Sequence, residues 1–318
     1  MRLGLAFAVV AALLAGVLAG VALGPYPLFP FDAGAAQVLW QLRLPRVLAA
    51  VVVGAVLGVG GAVLQGWFRN PLVEPGLLGV SAGAAFAAAL VLLLAPAAGT
   101  WWLTGSAFAG AFATVWLLAR LRDALASDNG LVLAGIAINA LVAASIGVLA
   151  SFAPAERLKS FSIWGLASFD AIEPLTLLPL ALAGGVMLVR LLPLGTALDA
   201  LSLGGTAAGH LGYDVPALER RLLFGLALGV GAATAAVGPL AFVGLLAPHL
   251  LRGAGVHGHR RLLPLAAVLG AALTVWAELG GRMLLAPREL PAGVLTQLAG
   301  ALLFLQLLWR GTRAGRPA

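Results

Sequence analysis

Side chains able to do chemistry are few in this sequence, and they fall in a handful of places. His249, His257 and His259 lie close together, and imidazoles at such spacing can hold a transition metal when a carboxylate or thiolate completes the set. No cysteine exists in the chain and no acid accompanies these histidines in the arginine-rich stretch 252–261. Solvated loop histidines are therefore the expectation, and His210 is read the same way. There is no H-E-x-x-H, and no Ser, His and Asp set suggests itself at one depth. No apolar stretch carries two acids at its centre, as a proton or sodium relay would. Without G-x-x-x-x-G-K-[ST] the chain has no P-loop for ATP. The polar residues inside apolar stretches are Asn139, Ser145, Thr234, Thr274, Gln297 and Gln306, with Glu278 near one end of its stretch. This inventory predicts no bond-making chemistry, no bound cofactor and no metal. What remains is a set of cations, among them Arg43, Arg46 and Arg282, whose planar guanidinium forks pair well with carboxylates.

Hydropathy sets the frame on which these groups sit. Of the 318 residues, 62% are hydrophobic and only 10% charged, with a mean hydropathy of +1.05. A soluble domain is nearer 45–50% apolar with about a quarter charged, so the solvent of this chain is lipid. Charge-free gaps count the spans, because a helix needs about 20 apolar residues to cross the bilayer core. They place spans at 3–24, 47–68, 76–95, 101–120, 130–153, 173–192, 222–237, 240–252, 262–285 and 291–309. The break at Gly238-Pro239 leaves the eighth span short. Glycine pairs at Gly54 and Gly58, Gly79 and Gly83, and Gly225 and Gly229 let helices approach closely. Residues 1–24 are read as a retained first span, since the apolar run is longer than a signal-peptide core. With ten spans both termini share one side. That side carries 13 of the 19 Lys and Arg, so the termini are expected in the cytoplasm. Topology thus accounts for the net charge of +7, and nucleic acid needs no further place in the reading.

Two connections are too long for simple turns. Residues 196–219 read as two short helices, over Ala197–Leu203 and Ala207–Leu211, capped by Thr196 and Thr206 and separated by Gly204-Gly205. This compact cytoplasmic knob suits a docking element for a soluble partner. On the outer side, residues 154–173 carry Phe161, Trp164 and Phe169 between charged ends, the pattern of an amphipathic interfacial helix.

Five ordered motifs then resemble one family. They are Trp40-Gln41-Leu42-Arg43-Leu44-Pro45-Arg46, the run Asn70-Pro71-Leu72-Val73-Glu74-Pro75-Gly76 onward, Leu201-Ser202-Leu203-Gly204 ahead of Leu211-Gly212, Gly238-Pro239-Leu240-Ala241-Phe242 running on to Pro248-His249-Leu250-Leu251-Arg252, and Glu289-Leu290-Pro291-Ala292-Gly293. In order and spacing the chain resembles the FecCD family of ABC-importer permeases, which includes permeases for ferric siderophores, haem and vitamin B12. The resemblance implies an all-α, polytopic membrane protein of about ten transmembrane helices with the type II ABC importer permease architecture, residues 1–318 forming one permease domain. It implies a second copy of the permease, two cytoplasmic ATPases that use ATP and Mg, and a periplasmic or lipoprotein binding protein, with the permease itself in the cytoplasmic membrane. Residue by residue, Arg43, Arg46 and Arg282 match arginines that meet acids on the binding protein. Asn70 and Leu72 match an inner gate, as do Ser127, Asp128 and Asn129. Leu201, Leu203, Gly204, Ala207, Leu211 and Gly212 match the coupling contact with the ATPase. Gly205 stands where the family often has an acid, and Gly300-Ala301-Leu302-Leu303 lacks a frequent proline. The expected cargo is an iron chelate, with cobalamin as the alternative. An intramembrane enzyme or a scaffold is a distant rival.

Overall fold

The computed structural model of the chain describes residues 2–26, 29, 31–95, 97–124 and 128–314, and among them there is no strand. Helix α1 is Arg2–Ala22 and α2 is Ala33–Gln37, started by Asp32, whose Oδ1 accepts from the Ala35 N–H at 2.7 Å. A wide π-helical turn, Val38–Arg43, joins α2 to α3, Leu44–Trp67. There follow α4 (Val80–Leu94), α5 (Thr100–Ala124), α6 (Asp128–Ser151) and the short helix α7 (Ala155–Gly165). Then come α8 (Pro174–Leu191), α9 (Gly195–Leu201) and α10 (Gly205–His210). The chain ends with α11 (Val215–Val237), α12 (Val243–Gly253), α13 (His259–Leu284) and α14 (Ala292–Ala314).

Seven helical stretches are long and apolar enough to cross a bilayer: those of α1, α3, α5, α6, α8, α11 and α13. Helix α4 and the first half of α14 are shorter apolar helices. Helix α12 has 11 residues, about 16 Å at 1.5 Å per residue and so about half of the hydrocarbon core. These ten correspond to the ten spans read from the charge-free gaps. Helix α12 is short for the expected reason. Gly238 ends α11 with φ +84°, Pro239 follows, and the chain is non-helical until Phe242, itself at φ +69°, starts the half-helix.

Helix α3 is the axis of the bundle. Its span is 83% buried, against 6% for α6 and 17% for α1; α13, α12, α8 and α11 all pack on it. Glycine makes that crowding feasible. A Cβ at Gly54 would run into the Gly270 carbonyl, one at Gly58 into the Ala266 carbonyl, and one at Gly61 into the Gly244 carbonyl. Gly225 and Gly229 admit Leu191 and Met187 of α8 in the same way. Since lipid is as apolar as these side chains, close backbone packing of this kind supplies the cohesion that hydrophobic burial supplies in water.

Candidate functional site

The segment between α3 and α4 carries Asn70 and Leu72. Asn70 Oδ1 accepts from the Leu72 N–H at 3.0 Å, a local turn that pins the loop and leaves the Leu72 side chain 43% exposed. Two further ties hold this loop. Asn139 of α6 donates from Nδ2 to the carbonyls of Gly76 and Leu77, at 3.1 and 3.2 Å, and Gly135 sits against the Leu77 carbonyl. On the other side Glu74, buried, accepts from the Phe242 N–H at 3.1 Å and so caps the start of α12. Burial pushes the Glu74 carboxyl up to about 7, against the pull of the Phe242 and Leu245 N–H groups. The loop therefore clasps α6 and α12 together. Asp128 and Asn129 form the first turn of α6, and Ser127 lies outside the described residues. The two segments expected to form the inner gate thus belong to elements joined by Asn139.

The knob differs from its sequence reading in detail. Helix α9 already begins at Gly195, straight out of the tight turn Leu192–Leu194, and α10 begins at Gly205. The residues at the cap positions are Leu194 and Gly204, without side-chain caps, so Thr196 and Thr206 lie inside helices and are not the caps. Gly204 (φ +112°) and Gly212 (φ +88°) take left-handed backbone where a Cβ would be strained. Leu201 is buried and faces the body, whereas Leu203 and Leu211 are 69% and 62% exposed. Ala207 is half-buried between them. The outward apolar surface of the knob is thus Leu203 and Leu211.

Asp199 and His259 fasten the knob to the bundle. Asp199 Oδ1 accepts from the His259 backbone N–H at 2.8 Å and lies 2.6 Å from its Nδ1. Gly195 packs on the backbone of Arg260, and the far side of the His259 ring lies on Gly66 of α3. His259 is 6% exposed, which corrects its reading as a solvated loop histidine: its partner lies 60 residues away in sequence. A lone acid on an otherwise apolar helix was the only signal in the sequence for this pair.

At the opposite end, the three arginines are braced inside the rim. Arg43 donates to the carbonyls of Val21 (3.2 Å), Ala22 (2.9 Å) and Tyr26. Arg282 donates to the Gly20 carbonyl at 2.7 Å and to Glu278 at 3.3 Å. The last carbonyls of α1 have no intrahelical partner and carry the negative end of its dipole, so two cations settle there. Arg43 and Arg282 are 2% and 4% exposed; to reach an outside partner each would have to leave these acceptors. Arg46 lies nearer the surface, 2.7 Å from Glu289 and 3.7 Å from Asp170. Glu289 is held above the ordinary carboxyl range by burial and by its contact with Asp170, with Arg46 opposing. Segment 154–173 closes over this rim. Trp164 donates to the Ala235 carbonyl at 3.3 Å, Phe169 is buried, and the Gly293 N–H donates to the Ala167 carbonyl at 3.0 Å.

A ten-span helical bundle with a broken half-helix, a clasped loop between its second and third spans and a projecting helical knob is the frame of a transport permease of the ABC-importer class. The sequence matches the FecCD transport family over residues 5–310, and the chain belongs to that family. It is 41% identical to the hemin transport system permease protein HmuU of Yersinia pestis over 281 residues, 86% of this chain and 83% of that one. It is 38% identical to the vitamin B12 import system permease protein BtuC of Yersinia enterocolitica, over 86% of this chain and 82% of the relative. Among solved structures, a transporter described as of the metal-chelate ABC type, in an inward-facing conformation, superposes with a TM-score of 0.85 over 96% of this chain and 98% of that one, at 31% identity. PsaBC from Streptococcus pneumoniae, bound to a Fab, shares the fold at a TM-score of 0.63 and 19% identity, over 85% of this chain and 92% of that one. The chain is not itself an enzyme: in such importers a separate ATPase subunit hydrolyses ATP.

Proposed function

We propose that this chain is the permease of an importer for an iron chelate, haem or a ferric siderophore, in the cytoplasmic membrane. The observation that carries this reading is the 41% identity to a hemin permease over nearly the whole chain, joined by the fold shared with a metal-chelate type transporter. Cobalamin is the second reading, supported by the 38% identity to a vitamin B12 permease. The chain works as a pair with two ATPases and an outer binding protein, both termini in the cytoplasm. Helices α6 and α14 supply a face for the second copy: Leu133, Leu141, Leu302 and Leu305 are all more than 60% exposed there.

Mechanistically, the permease is a two-state device biased by its partners. ATP-driven closure of the ATPases pulls on the knobs through Leu203 and Leu211, with Ala207, Gly204 and Gly212 shaping the contact. Asp199 and His259 pass that displacement to α13 and α3. Residues 70–72 and 127–129 then open or close the inner end, because Asn139 and Glu74 make loop, α6 and α12 move together. On the outer rim, Arg46 is the arginine best placed to meet acids of the binding protein, and Arg43 and Arg282 hold the rim in shape for it. The test is affinity of the cognate binding protein for haem, a ferric siderophore and cobalamin. Selective binding of an iron chelate supports the reading, and selective binding of cobalamin replaces it with the second.

A further inference from the structure

A groove of about 800 Å³ opens between the end of α5 and the start of α11, beside Trp67 at the end of α3. Its walls grade in polarity along the helix axes. Arg120 and Arg220 stand at the mouth, and Arg120 lies 5.3 Å over the ring of Trp116. Phe112 is eight residues further along α5, about 12 Å deeper at 1.5 Å per residue. Phe224 is one turn deeper than Arg220, and the Phe108 ring lies 5.6 Å from Phe224 and 6.0 Å from Phe112. The wall acid Glu219 accepts from the Trp67 indole N–H at 3.0 Å. Trp116 and Phe224 remain about half exposed.

We infer that this groove holds the phosphate headgroup of an anionic phospholipid between Arg120 and Arg220, with an acyl chain lying along Phe112 and Phe224. Two guanidiniums with Glu219 on the same wall leave one net positive charge against the single negative charge of a phosphate diester, and the guanidinium N–H groups suit its oxygens. Tryptophan beside arginine at a helix end is the composition of a membrane–water interface, and basic pockets between spans bind headgroups. The aromatic depth fits a chain and gives a small soluble anion nothing to bind. The site holds on either leaflet and so does not rest on which side the termini occupy, nor on the cargo.

The test uses the full-length permease with a phosphatidylglycerol analogue bearing a diazirine in one acyl chain, and a phosphatidylcholine analogue as control. Mass spectrometry should place label in residues 108–124 and 216–224, about tenfold or more above the choline lipid, given that each cation near a headgroup contributes measurably to anionic binding. Both arginines are exposed, so Arg120→Gln with Arg220→Gln should fold normally, lose that labelling by a similar factor and leave labelling elsewhere unchanged. Excess phosphatidylglycerol should compete, and glycerol 3-phosphate should not. Equal labelling by the two lipids, or unchanged labelling in the double variant, would overturn the proposal. Competition by glycerol 3-phosphate would do so too, by showing a site for soluble phosphate esters.

Discussion

Replacing Asp199 with alanine should uncouple the permease without dismantling it. The carboxylate accepts two hydrogen bonds from His259, at 2.8 Å from the backbone N–H and 2.6 Å from Nδ1. A hydrogen bond to a charged group is worth about 1.5–3 kcal/mol net. The Asp199 side chain is 42% exposed, so water recovers part of this and a total near 2 kcal/mol is the reasonable figure. That loosens the attachment of the knob to α13 about 30-fold, at roughly 1.4 kcal/mol per factor of ten. Leu203 and Leu211 lie on the outward side and are untouched, so the ATPase should still bind. In proteoliposomes with the cognate ATPase and binding protein, Asp199→Ala should keep basal ATP hydrolysis within about twofold while cargo moved per ATP falls about tenfold or more. Asp199→Asn keeps an oxygen for the backbone N–H and loses the charge, so it should fall between. The merely structural alternative predicts lower thermal stability with the transport-to-hydrolysis ratio unchanged. That ratio at wild-type level in Asp199→Ala would refute the linkage.

Three further outcomes follow from the same geometry. Leu203→Asp with Leu211→Asp should abolish co-purification with the ATPase while the permease still folds, because charge is then buried unpaired at the contact; Leu201→Asp should instead destabilise the permease itself, since Leu201 is buried inside it. Glu74→Gln should change how stability depends on pH. With the Glu74 carboxyl raised from 4.5 to about 7, burial of the ionised form opposes folding, so wild-type stability should fall as pH rises from about 4.5 to about 7 and level off above; thermal melts of the variant should lack that slope, and an unchanged slope would contradict the burial. Arg46→Glu should weaken docking of the binding protein, most at low salt, whereas Arg282→Glu should lower the melting temperature, having lost acceptors on Gly20 and Glu278; identical docking by Arg46→Glu at low ionic strength would remove Arg46 from the interface.

The spans were legible because lipid imposes a one-dimensional rule: a charge-free run long enough to cross must cross. The half-length of α12 was legible for a related reason, since Gly238-Pro239 forbids a continuous helix. What escaped was tertiary. His259 sits among arginines in sequence, yet its partner is on a helix 60 residues earlier. Arg43 and Arg282 read as outward cations, but the acceptors that draw them in are backbone carbonyls at the end of α1, which carry no residue signature. The caps of the knob were misread because Gly195 is already helical as the chain leaves the turn at Leu192–Leu194; local capping chemistry lost to the path of the preceding span. Asn139 stood out as a polar residue at membrane depth, and its role in clasping the loop between α3 and α4 needed the fold.

The proposed function is import of an iron chelate driven by a separate ATPase. Its most direct test is uptake into proteoliposomes holding the permease and its cognate ATPase, with the cognate binding protein outside the permease's outer face. Haem, a ferric siderophore and cobalamin are offered in turn, with and without ATP. ATP-dependent accumulation of an iron chelate, and none of cobalamin, is the expected result. Accumulation of cobalamin alone would contradict the cargo, and accumulation of an iron chelate without ATP or the ATPase would contradict the mechanism.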